Sequence, residues 1–267
     1  MNEDMNVPTN HPSIALIGAG NLAVNLAPAL SDSGFRIRQV YSRTQEAARS
    51  LARRVGAGYT TSPAEITPHA DLYITALADS ALPVLAPVIA SVNPQALFVH
   101  TAGSIPMDIW KGHAARQGVL YPMQTFSKQR EVDFGQIPIF VESNSPEDEA
   151  LLRAVASRLS RQVYAATTEQ RRSLHLAAVF ACNFTNCLYT LASDILQAHH
   201  LPFDVMLPLI DETARKVHTL APRQAQTGPA ARGDRAVMAA HLEMLATHPG
   251  WQELYRTMSK MISDASQ

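Results

Sequence analysis

The chain has 267 residues, 46% hydrophobic and 17% charged, a composition that can bury a sizeable core in one large or two modest domains. Its 22 Lys and Arg against 23 Asp and Glu leave a formal charge of -1. That balance argues against nucleic acid as the main partner, because phosphate binding needs a basic excess or patch.

Residues 1–11 are polar and acidic, with neither a basic n-region nor an apolar h-region, so they read as a disordered N-terminus rather than a secretion signal. No apolar run reaches 18 residues, and no membrane helix is expected. Residues 13–17 form a short apolar strand run that stops at Gly18. Leu22, Leu26, Ala29 and Leu30 then repeat at helical spacing, with Gly34 as the stop. Pro28 lies inside this helix and predicts a bend. A strand over 35–41 and a helix over 44–55 follow. Ser62-Pro63-Ala64-Glu65 reads as a capping box opening a short helix. Strands at 71–77, 96–100, 119–121, 137–141 and 162–166 are interleaved with helices at 80–92 and 145–159. The alternation predicts an α/β Rossmann domain over 12–166, doubly wound around a mainly parallel sheet.

After Thr167 the strand signal ends. Helices are predicted at 169–199, 203–220, 234–247 and 251–262, giving an all-α domain over 167–267. Pro, Gly and polar residues gather over 221–233, a loop long enough to suggest a functional role. Cys182 and Cys187 share the first of these helices and point about 140° apart, so they do not bridge within it. The absence of a disulfide framework suits a reducing cytoplasm.

Gly18-Ala19-Gly20-Asn21-Leu22-Ala23 is G-x-G-x-x-A between a strand and a helix. The first Gly permits a tight turn, the second lets backbone approach a pyrophosphate, and Ala23 lets helix and strand pack closely. An NAD site would place a carboxylate at the end of the second strand. Here Ser42, Arg43 and Thr44 stand there instead, two hydroxyls and a guanidinium suited to a 2′-phosphate, so NADP(H) is the expected cofactor. The alternative is that Arg43 and Thr44 merely begin a surface helix. Leu77, Ala78 and Asp79 follow the third strand, and Thr101 and Gly103 follow the fourth. These strand ends should flank the nicotinamide half. Asp79 and Ser104 can equally serve as helix N-caps. No metal site is expected, since H-E-x-x-H and C-x-x-C are both missing.

These residues, followed by an all-helical half, resemble the superfamily of pyrroline-5-carboxylate reductase, ketopantoate reductase and the 6-phosphogluconate dehydrogenase-like proteins. More narrowly, the chain resembles bacterial Rossmann-like oxidoreductases with a C-terminal domain of unknown function. Gly18 to Ala23, His100 to Ser104, Gly118 to Ser127, Leu174 to Asn186 and Gln226 to Arg232 carry that likeness. It implies an NADP-dependent oxidoreductase acting on a small carbonyl, imine or hydroxy compound. Ketopantoate-reductase-like enzymes hold a Lys on the helix after the Rossmann domain, with Asn residues four and eight positions later. His175 stands at the Lys position, Val179 at the first Asn and Asn183 at the second. The likeness thus assigns His175 as proton donor and Asn183 as the group orienting the substrate.

On an ideal helix His175, Cys182 and Asn186 share one face, and Asn183 lies about 80° away. The competing reading is a satisfied core histidine with two structural amides. Gln124 and Thr125, with Asn186, Thr213, Thr227 and Arg232 from the helical half, complete a polar substrate pocket, in which Arg232 would hold an acidic group. Arg232 can alternatively pair with Asp234 or Asp211. A homodimer through the helical domain, in the cytoplasm and without membrane or nucleic-acid partners, completes the expectation. The competing class is a non-catalytic NADP-binding regulator or scaffold.

Overall fold

The computed structural model describes residues 11–265; residues 1–10, most of the expected disordered N-terminus, lie outside them, and His11 sets its ring against Phe35 at 5.3 Å. The strands are β1 (Ile14–Ile17), β2 (Ile37–Tyr41), β3 (Gly58–Thr60), β4 (Leu72–Thr75), β5 (Leu97–His100), β6 (Arg116–Pro122), β7 (Ile139–Ser143) and β8 (Val163–Ala165). They form one sheet in the order β3-β2-β1-β4-β5-β6-β7-β8. Every pairing is parallel except β6 with β7. β7 follows an irregular return over 123–138 rather than a crossover helix, which is what an antiparallel neighbour permits. β3 has only three residues, too few to show a period in the sequence.

β1, β4 and β5 are buried along their whole length, which explains their near-continuous apolar sequences. One sheet face is covered by α1 (Ala23–Asp32), α2 (Gln45–Arg54) and α4 (Pro146–Leu159). The other packs against α3 (Leu82–Ala90) and Trp110. Pro28 is indeed inside α1, and Gly34 follows its end at φ +89°. The expected capping box at Ser62 does not form. A three-residue 3-10 turn, Pro63–Glu65, stands there without a side-chain cap, because the Glu65 carboxylate accepts from Thr60 Oγ1 at 2.7 Å instead.

A capping box does open the helix after β8: Thr167 Oγ1 accepts from the Gln170 amide at 3.3 Å and Gln170 Oε1 accepts from the Thr167 amide at 2.9 Å. That helix runs as α5 (Thr168–Ala178), a π-helical stretch (Val179–Phe184) and α6 (Thr185–Ala198). Thr168–Ala198 is long and apolar enough by length and composition to cross a membrane, with a mean hydropathy of 1.3 in its most apolar window. Ser, Thr, Asn and His punctuate it, so it contains no long unbroken apolar run.

The remaining helices are α7 (Leu207–Lys216), α8 (Pro222–Ala225), α9 (Pro229–Arg232), α10 (Arg235–Met244) and α11 (Pro249–Ala265). The expected loop over 221–233 is therefore partly helical: α8 and α9 each begin with proline, whose fixed φ suits a first helical turn. Contacts group the chain into two compact units that divide between Thr185 and Asn186. The change from mixed to purely helical structure falls earlier, at Thr168.

Candidate active site

Gly18 adopts φ +124°, and a Cβ there would strike the Ala76 carbonyl, so the turn after β1 requires glycine. Its amide donates to Tyr41 O at 2.8 Å. The amides of Asn21, Leu22 and Ala23 have no acceptor among the described residues, leaving a row of donors at the start of α1. Ala19 is buried and Gly20 exposed beside them. This cradle fits a dinucleotide pyrophosphate. After β2, Arg43 and Thr44 are exposed and Ser42 half-buried. Thr44 occupies the N-cap of α2 without making a side-chain cap bond, so its hydroxyl is free for a phosphate.

A cavity of about 730 Å³ lies over the carboxyl ends of β1, β4, β5 and β6. It gathers Gly20, Asn21, Leu22, Leu77, Ala78, Asp79, Thr101, Gly103, Gln124, Thr125, His175 and Asn183 from the expected site. Neither Asp79 nor Ser104 caps a helix; the Ser104 hydroxyl donates to the Asp79 carboxylate. Thr101 is fixed by its hydroxyl, which donates to Thr75 O at 3.1 Å.

His175 reaches the cavity from α5. Its Nδ1 lies 3.3 Å from Tyr121 Oη, and the two rings meet edge to face, 6.3 Å apart. Burial pushes the Tyr121 phenol above its ordinary pKa, with Arg171 acting weakly the other way. One helical turn before His175, Arg171 is buried. Its Nη1 donates to the carbonyls of Ala102, Gly103 and Ile105 at 2.8, 3.0 and 2.7 Å. Its Nη2 donates to Glu142 Oε2 at 3.1 Å. Glu142 also accepts from the Thr168 amide and hydroxyl. Arg171 and Glu142 therefore fasten α5 to the segment after β5. In the sequence, Arg171 is only one of two arginines in a polar first turn. Tyr121 had a readable signal, since it stands at a strand end beside Gln124.

The π-helical stretch alters the expected helix faces. It spends about one more residue per turn than an α-helix, so rotation lags through it. Asn183 thereby lines the cavity with His175, Ala178 and Cys182. Asn186, expected on the His175 face, is absent from the lining and opens the second unit.

Thr213, Thr227 and Arg232 also belong to the second unit. Thr213 Oγ1 donates to Leu209 O in its own helix at 2.9 Å, and Thr227 O accepts from Gln226 Nε2. Arg232 ends α9. Asp234 is occupied otherwise, capping α10 by accepting from the Val237 amide at 3.2 Å. A concavity of about 780 Å³ in this unit is lined by Asp194, His241, His248, Trp251 and Tyr255 among others. It has no glycine turn or strand end, and so lacks the donors a dinucleotide needs.

A strand-glycine turn-helix cradle, an uncapped hydroxyl at the 2′-phosphate position and a strand-end cavity define a dinucleotide-dependent oxidoreductase. Residues 13–102 match the family described as NADP oxidoreductase, coenzyme F420-dependent. Residues 137–262 match a domain of unknown function, DUF2520. A protein of Bacteroides fragilis, described as a proposed NADP oxidoreductase, is 60% identical over 95% of this chain and 98% of its own, with a TM-score of 0.92. The chain belongs to this family, NADP oxidoreductases with a C-terminal DUF2520 domain, and its cofactor is NADP.

The imine reductase of Myxococcus stipitatus in complex with NADP+ is 18% identical over 95% of this chain and 94% of its own, with a TM-score of 0.66. The pyrroline carboxylate reductase of Plasmodium falciparum with NADP bound is 11% identical over 96% and 98%, with a TM-score of 0.61. These two share the fold. No curated protein matches the chain in sequence.

Proposed function

We propose that the protein reduces a small imine or carbonyl compound, or oxidises the corresponding hydroxy compound, with His175 as proton donor and Asn183 orienting the substrate. The observation that carries this is one cavity holding His175 and Asn183 beside the glycine turn and the β4 and β5 strand ends. NADPH, when bound, supplies the hydride. The chain's own part is to hold the reacting group and move the proton. His175 Nε2 has no bond to another described residue, since Nδ1 carries the ring's contact with Tyr121. An imidazole is suited to proton transfer near neutral pH. Asn183 offers both an amide donor and a carbonyl acceptor. The fold shared with an imine reductase and a pyrroline carboxylate reductase supports an imine or carbonyl substrate.

The test is NADPH consumption across cyclic imines, aldehydes and ketones. At least one should be turned over, and His175→Ala should lower that rate about 100-fold or more with NADPH affinity unchanged. Micromolar NADPH binding without turnover anywhere in the panel would reject the proposal.

We further propose a homodimer through the helical unit. Among its described residues Ala230 is the one buried hydrophobic, whereas Leu201, Val205, Leu209, Met244 and Met261 are all more than half exposed. A second copy covering these side chains would remove that apolar surface from water. A monomer mass in light scattering at micromolar concentration would refute it. The free thiols of Cys182 and Cys187 fit a cytoplasmic location.

A further inference from the structure

We infer that Tyr121 is the positioning residue of the proton donor: its hydroxyl holds His175 Nδ1, so that Nε2 is the atom presented to the substrate. The inference rests on the reading of His175 as proton donor.

Three contacts fix the imidazole. Tyr121 Oη lies 3.3 Å from Nδ1. The Tyr121 ring meets the imidazole edge to face. On another side, Gly103 presents bare backbone: a Cβ there would lie 2.6 Å from Nδ1 and 2.7 Å from Cγ. Tyr121 is buried, and its hydroxyl has no other hydrogen-bond partner among the described residues. A buried phenol in that position donates to an unprotonated Nδ1 and accepts from a protonated one. It therefore holds the ring in both ionisation states.

The charged and titratable groups around the pair are few. Arg171 precedes His175 on the same helix and is paired with Glu142 of β7. Asp79, bonded to Ser104, and Cys182 lie on the cavity wall. Burial keeps the Tyr121 phenol protonated well above neutral pH, so it adds no charge of its own. In reduction the Nε2–H bond of the imidazolium breaks. Its proton goes to the substrate nitrogen or oxygen while the substrate carbon takes the hydride that NADPH supplies. The ring is left neutral with its remaining proton on Nδ1, which donates to the Tyr121 oxygen.

Tyr121→Phe in the full chain, labelled with ¹⁵N-histidine, tests this without any substrate. In the wild type, the His175 Nδ1 resonance should carry the displacement of a nitrogen hydrogen-bonded to the phenol, whichever partner donates, and Tyr121→Phe should abolish it. With 1-pyrroline as probe, kcat should fall about tenfold or more, while KM and NADPH affinity change little. An unchanged Nδ1 resonance, or unchanged kcat in a variant set where His175→Ala is inactive, would overturn the inference. If the wild type does not reduce 1-pyrroline or any other panel compound, the functional reading fails, yet the nitrogen spectrum still decides the role of Tyr121. Should Tyr121→Phe fail to fold by circular dichroism, 3-fluorotyrosine at position 121 replaces it. That more acidic phenol should move the Nδ1 resonance, and no movement overturns the inference.

Discussion

Gly103 and His175 are fitted to one another: a Cβ on Gly103 would sit 2.6 Å from Nδ1 and 2.9 Å from Cβ of the histidine. The segment after β5 thus reserves for an imidazole the space that any other residue would occupy. Gly103→Ala should displace the ring from Tyr121. Overpacking of this kind costs about 1–3 kcal/mol. Steady-state kinetics should show kcat reduced well beyond any change in NADPH affinity. Full activity in Gly103→Ala would mean that the ring has room the structure does not show.

Arg171 and Glu142 form a buried pair, with side-chain exposures of 1% and 14%. Removing one member leaves the other without its counter-charge, which costs roughly 3–5 kcal/mol. Arg171→Leu loses the three carbonyl contacts as well, so it should exceed Glu142→Gln in urea denaturation. Equal midpoints for Arg171→Leu and the wild type would show that the guanidinium is not what fastens α5 to the segment over 102–105.

Arg43 lies exposed at the end of β2, where the cofactor's 2′-phosphate would stand and no carboxylate is present at positions 42–44. Arg43→Ala should weaken NADPH binding about tenfold, the order of one charge-assisted contact, and leave NADH binding unchanged. Calorimetric titration of both cofactors separates the two. Parallel losses for NADPH and NADH would place the phosphate elsewhere.

His100 is buried with Nδ1 accepting from the Ala102 amide at 3.2 Å, and its Nε2 has no partner among the described residues. Burial, and secondarily the Arg171 charge, push its pKa from 6.5 down to about 3. The unfolded chain takes up this proton near its ordinary pKa, and the folded chain does not until far lower. The stability present above pH 6.5 is therefore lost as pH falls toward about 3. His100 alone contributes a slope of about 1.4 kcal/mol per pH unit in that window. His100→Asn places an oxygen where Nδ1 accepts and should flatten the slope between pH 6.5 and the carboxylate range. Identical slopes in urea unfolding would refute the assignment.

Local signals announced most of this fold. The G-x-G-x-x-A turn, the apolar runs of β1, β4 and β5 and the loss of strand signal after Thr167 each rest on neighbouring residues. What stayed hidden was long-range or irregular. Strand direction at β7 depends on how the chain returns over 123–138, and no local period records that. Arg171 owes its role to carbonyls 66 to 69 residues earlier in the chain. Glu65 accepts from the Thr60 hydroxyl rather than forming its expected cap, a choice set by a strand residue outside the capping motif. Asn183 lines the cavity and Asn186 does not, because ideal helical spacing fails through the π-helical stretch Val179–Phe184, which no local period records.

The π-helical stretch stores one residue's worth of lag in a helix that is otherwise regular. Removing a single residue from Val179–Phe184 would let it close to an ordinary α-helix, because five residues at roughly 100° each turn about as far as six more widely wound ones. The loss would fall on Asn183 and Cys182, which owe their place on the cavity wall to the wider turn. Arg171 and His175, anchored before the stretch to the segment after β5 and to Tyr121, would keep their setting.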